Sequence, residues 1–96
     1  MKHAGAQTLQ GLSDLLDQVR QRQGLKEKKF GIFYRRSKSF LHFHEDPAGT
    51  FADLTTFDRH PVNTARERKE LLAAIDRTLD EESMRDHRTA SMVVAK

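Results

Sequence analysis

The chain has no cysteine. Disulfide stapling, a thiol nucleophile and every zinc finger or ribbon built on thiolates are excluded, and the same usage is what a reducing cytosol permits. No stretch approaches the ~18 apolar residues that a membrane span needs, and the opening MKHAGAQTLQ holds no apolar block of signal-peptide length. A cytoplasmic protein with no membrane partner is expected. The glycines at 5, 11, 24, 31 and 49 are scattered, so the chain has neither a phosphate-binding loop nor a glycine-flanked nucleophile elbow. Apolar residues make up 36% of the chain against 32% charged, which limits the core to a small one. They are clustered and periodic, however, and that separates the chain from a disordered one. Ninety-six residues is the length of a single domain.

The charge is uneven rather than large. Residues 20–38 carry eight basic side chains (Arg20, Arg22, Lys26, Lys28, Lys29, Arg35, Arg36, Lys38) and one acid, Glu27, while the rest of the chain is net negative. A basic run of this kind attracts phosphate or an acidic surface. Most such runs are solvated surface, and Gln21 to Lys29 reads as a basic connector.

Two helices and three strands follow from the apolar spacing. Leu9, Leu12, Leu15, Leu16 and Val19 recur at three- and four-residue steps, which predicts a helix from Thr8 to a stop at Gly24. A second begins at Thr64-Ala65-Arg66-Glu67, the pattern of a capping box, with Leu71, Leu72, Ile75 and Leu79 as its stripe. It is expected to fray around Glu82 to Arg85. Residues 1–7 and 86–96 read as tails. Between the helices, FGIFYRR, SFLHFHE and TFADLTT are short, rich in Phe, Ile, Tyr and Thr, and separated by turn residues. Asp46-Pro47-Ala48-Gly49 is strong turn chemistry; Arg36 to Ser39 is weaker. The expected fold is α+β, a two-layer α-β-β-β-α arrangement whose three-stranded antiparallel meander carries both helices on one face.

Register decides which residues share a face. A first hairpin closing around Ser37-Lys38 sets Arg35 opposite Phe40 and Phe33 opposite His42. A second closing around Asp46 to Gly49 sets Glu45 opposite Thr50, His44 opposite Phe51 and His42 opposite Asp53. Alternation then collects Phe30, Ile32, Tyr34, Leu41, Phe43, Ala52 and Leu54 on the core face. The other face receives Phe33, Arg35, Phe40, His42, His44, Phe51 and Asp53. That mixed face is the expected functional surface.

Three readings of it compete. In the first, the face is a non-catalytic binding or assembly surface. Three phenyl rings make an apolar patch that a monomer rarely leaves wet, so self-association as a homodimer would bury Phe33, Phe40 and Phe51, with His42 and Asp53 as a cross-strand clasp. In the second, the same rings stack the bases of single-stranded nucleic acid while Arg35, Arg36 and Lys38 take phosphates. In the third, His42, His44 and Asp53 hold zinc or iron, since two imidazoles and a carboxylate form a ligand set for either. The plain alternative to this third reading is a His–Asp pair that only orients side chains. Enzyme activity is not expected, because no nucleophile stands beside the histidines. The segment FLHFHEDPAGTFADLTTF resembles a signature of a small bacterial domain, and no activity is carried over from that likeness.

Overall fold

The computed structural model describes residues 2–55 and 58–94, with side chains as far as Ser83. The amino-terminal apolar stripe is real: Leu9, Leu12, Leu15, Leu16 and Val19 are all buried. The single helix expected there is divided into α1 (Ala6–Gln10) and α2 (Ser13–Arg20). Gly11 at the junction disfavours a continuous helix. The break keeps the five apolar positions on one side. α2 stops at Arg20, with Gln21 as its C-cap, short of the expected stop at Gly24, which at φ +92 belongs to the turn before the next strand.

Four elements follow in antiparallel order: β2 (Leu25–Lys29), β3 (Ile32–Arg35), β4 (Lys38–Asp46) and β5 (Gly49–Leu54). A short β6 (Arg59–Pro61) pairs with β5. A two-residue strand β1 (Lys2–His3) pairs with the far half of β4. Among the described residues the sheet therefore has six strands in place of the expected three. Its core, the meander β3-β4-β5, is extended at both ends. The basic connector turned out to be β2, an edge strand whose lysines suit an edge, where charge discourages pairing with another chain. The presumed amino-terminal tail contributes β1. Thr56, at the end of the expected third strand, lies outside the described residues.

The second hairpin has the expected register in full: Glu45 faces Thr50, His44 faces Phe51 and His42 faces Asp53. The first does not. It turns one residue early, so Arg35 pairs with Lys38, and Arg36 in the turn adopts φ +59. Phe33 then pairs with Leu41 while Tyr34 pairs with Ser39, which leaves Phe40 as the extra residue of a bulge. Two consequences follow for the faces. The early turn shifts each pairing by two positions and by itself keeps the faces; the one-residue offset of the bulge is what moves Phe33 and Arg35 to the core side. The bulge lets Phe40 turn inward beside Leu41. Phe33 is 1% exposed and Phe40 2% exposed, whereas Phe30, placed in the core by the expected register, is 44% exposed in the β2–β3 turn.

The inward face of the sheet (Phe33, Phe40, Leu41, Phe43, Ala52, Leu54) forms one buried cluster with the apolar stripes of α1, α2 and the carboxyl-terminal helix α3 (Ala65–Val94). The start of α3 is the expected capping box. The Glu67 amide donates to Thr64 Oγ1 at 3.1 Å, and the Thr64 amide donates to Glu67 Oε1 at 3.1 Å. Leu71 and Ile75 are fully buried, and Leu79 packs at the margin. The helix does not end near Glu82. It continues to Val94, through most of the segment expected to be a tail, whose side chains lie outside the described residues. Among the described residues no helix is long and apolar enough to cross a membrane.

Candidate metal centre

Strand alternation and the second hairpin's register build the outward face in two rows. His3, His44, Phe51 and Pro61 are successive pairing partners across β1, β4, β5 and β6, so they share a side of the sheet. His42, Asp53 and Arg59 make the parallel row one step along. His42 and His44 fall on the same side because positions two apart on a strand do. Their rings meet edge to face at 4.7 Å between centroids, and His3 stacks on His44 at 5.1 Å. Each of the three imidazoles offers a nitrogen within 4.8 Å of those of the other two.

His3 reaches this position through the backbone. The Ala4 amide donates to the Phe43 carbonyl at 3.0 Å and the Gly5 amide donates to Glu45 Oε2 at 3.1 Å. Lys2 Nζ stands 3.7 Å from the other oxygen of the same carboxylate. β4 is nine residues long and β3 only four. Half of one edge of β4 would otherwise be left without a ladder, and β1 fills it.

Asp53 lies opposite His42 but does not bond to it. Its carboxylate accepts from His44 Nε2 at 2.9 Å on the diagonal, and from Arg59 Nε at 2.7 Å and Nη2 at 2.9 Å. The Arg59 guanidinium, first by hydrogen bonding and then by charge, holds the Asp53 carboxyl below its usual range, and the neighbouring histidines act in the same direction. Asp53 is thus an ionised acceptor fixed from both sides. By taking the Nε2 proton of His44 into its hydrogen bond, it leaves the lone pair of that ring on Nδ1. His44 Nδ1 is buried and has no hydrogen-bond partner, and the same is true of His42 Nδ1. Burial, then the proximity of His44, lowers the His42 pKa from its ordinary value, which favours the neutral ring that a metal requires. Two buried imidazole nitrogens without partners, on rings that touch, are uncommon in a folded chain, where such groups are almost always satisfied.

The remaining residues expected on this face go elsewhere. Phe33 and Phe40 belong to the core for the reasons of turn and bulge given above. Arg35 is on the helix side, where its Nε makes an ion pair with Glu82 Oε1 of α3 at 2.6 Å. Of the three rings, Phe51 alone stays on the outward face, and it is half-buried. Arg36 and Lys38 sit at the tip of the first hairpin and not among the rings. His60 pairs with Ala52 and so lies on the opposite side of the sheet from the cluster. Of the expected His42, His44 and Asp53, the two histidines converge with His3, and Asp53 stands behind His44.

Sequence reasoning missed His3 and Arg59. A two-residue strand carries no periodicity, and Arg59 stands in a three-residue strand after residues that read as loop. No family model, curated protein or solved structure matches the chain.

Proposed function

We propose that this domain is a binding module for a divalent transition-metal ion, zinc above all, held by His3, His42 and His44. The observation that carries the reading is the convergence of three imidazole nitrogens within 4.8 Å of one another. Nitrogens bound to one zinc at bonds of about 2.1 Å lie roughly 3.4 Å apart in tetrahedral geometry. Small side-chain rotations close the difference. A metal would also engage the two buried nitrogens, His42 Nδ1 and His44 Nδ1, that no protein group satisfies.

The choice of metal follows from Asp53. An iron site of two histidines and one carboxylate needs that carboxylate on the ion. Both Asp53 oxygens are already engaged by Arg59 and His44. Three imidazoles without a carboxylate suit zinc, with Asp53 orienting the ring of His44. Three protein ligands leave a fourth position for water or for a ligand brought by a partner. With Phe33 and Phe40 in the core, the apolar area that favoured self-association through this face is reduced to Phe51, and the stacking platform for nucleic acid loses two of its three rings. The metal form of the binding reading is the one that gains.

Competition against a chromophoric chelator, with elemental analysis of the dialysed protein, tests it. One zinc per chain is expected, and His42→Ala and His44→Ala each weaken binding severely. Zinc uptake that is absent, or indifferent to both substitutions, rules the centre out.

A further inference from the structure

The basic run between Arg20 and Lys38 takes no part in the histidine cluster, yet its last members border a cavity. This cavity, of about 220 Å³, lies beside the tip of the β3–β4 hairpin and is lined by Arg36, Ser37, Lys38, Ser39 and Thr55. The Arg35–Glu82 ion pair forms another part of its wall. A second cavity shares Ser39 and Thr55 with the first and reaches His42, Asp53 and Arg59. The two meet only at these residues and open on different sides of the sheet, the first toward α3 and the second toward the histidine cluster.

Arg35 and Lys38 line the first cavity with one carboxylate, Glu82. Glu82 is paired with Arg35, so Lys38 keeps its positive charge available to an anion placed at the tip. Lys38 is exposed and makes no ion pair among the described residues. Three residues with hydroxyl side chains stand beside it. A cation surrounded by hydroxyl donors suits a tetrahedral oxyanion, and a phosphate monoester carries close to two negative charges at neutral pH. Single-stranded nucleic acid fits less well, because it needs exposed rings for stacking and Phe33 and Phe40 are buried.

We propose that this first cavity binds a small phosphorylated ligand, whose phosphoryl group sits at Lys38 and the hydroxyls of Ser37, Ser39 and Thr55. Phosphoryl binding at the tip does not require the metal centre, so it is tested in zinc-free protein. Amide chemical shifts are followed by NMR during titration with inorganic phosphate at constant ionic strength, then with ribose 5-phosphate. Phosphate is expected to give saturable shifts at Ser37, Lys38, Ser39 and Thr55. Ribose 5-phosphate is expected to shift the same amides. Lys38→Ser weakens both ligands by about tenfold, the loss of one charge-assisted hydrogen bond, and Ser39→Ala weakens them with the charge retained. The dispersion of each variant's spectrum shows that it still folds. Shifts that do not saturate, or that persist unchanged in Lys38→Ser, overturn the proposal. So does tighter binding of a single-stranded oligonucleotide with shifts spread over Lys26, Lys28 and Lys29, which assigns the basic run to a polyanion. Failure here leaves zinc binding as it stands, and failure of zinc binding leaves this titration to be judged alone.

Discussion

Asp53→Asn separates a metal centre from a pair of histidines that merely pack. Asparagine preserves the shape of the side chain and removes its charge. In the native protein the carboxylate accepts one hydrogen bond from His44 Nε2 and two from Arg59. The amide oxygen of asparagine can still accept from one of these partners, but its NH2 group cannot accept from the other. His44 then loses the anion that orients its ring and fixes its proton on Nε2. Replacing a carboxylate that supports a ligating histidine typically weakens metal affinity by about 10–100-fold, which corresponds to roughly 1.4–2.8 kcal/mol. The effect should lie toward the lower end, since one hydrogen bond to the ring can be kept. The assay is zinc competition at constant pH, with urea unfolding of the apo protein measured alongside. Affinity unchanged within experimental error, with the fold intact, would refute the role assigned to Asp53. Arg59→Gln is the companion variant. It frees the Asp53 carboxylate to act on His44 alone, so zinc affinity should hold or rise, whereas a purely structural Asp53–Arg59 bridge predicts that both variants lose stability and neither touches the metal.

Two further outcomes are expected. The folded-state pKa of His42 lies below its ordinary value, so the unfolded chain takes up this proton first. The stability of the apo protein should therefore be full above the unfolded pKa of about 6.5 and fall as the solution is acidified below it; denaturant unfolding across that range should show the slope, and His42→Gln should flatten it. Phe33→Ala and Phe40→Ala should each destabilise the protein by about 3–5 kcal/mol as core truncations, while Phe30→Ala should stay within about 0.5 kcal/mol. Equal effects at all three positions would contradict the turn and bulge that set the register of β3.

What could be read from the residues was the part governed by strong local chemistry. Asp46-Pro47-Ala48-Gly49 sets the turn, and every pair of the β4–β5 ladder follows from it, including the placement of His42, His44 and Asp53 on one face. The capping box at Thr64 and the stripe through Leu9, Leu12, Leu15, Leu16 and Val19 were legible for the same reason. The first hairpin was not. Arg36 to Ser39 contains no glycine or asparagine to mark the turn, and a non-glycine residue at positive φ gives no warning in the letters. Phe40 added a bulge that alternation cannot foresee, so strand β3 was placed with its faces exchanged. β2 escaped because LKEKK has almost no apolar residue to betray it. His3 escaped because its place is dictated by the missing neighbour of β4 and by nothing in its own surroundings.

The third imidazole of the cluster rides on a strand only two residues long, and this bears on how the protein is prepared. A polyhistidine purification tag joined upstream of Lys2 would be tethered within a short flexible reach of His42 and His44, at an effective concentration in the millimolar range. Its rings could displace His3 and give a convincing but artificial stoichiometry. Material for metal titrations needs its affinity handle removed, or moved beyond the carboxyl end of α3.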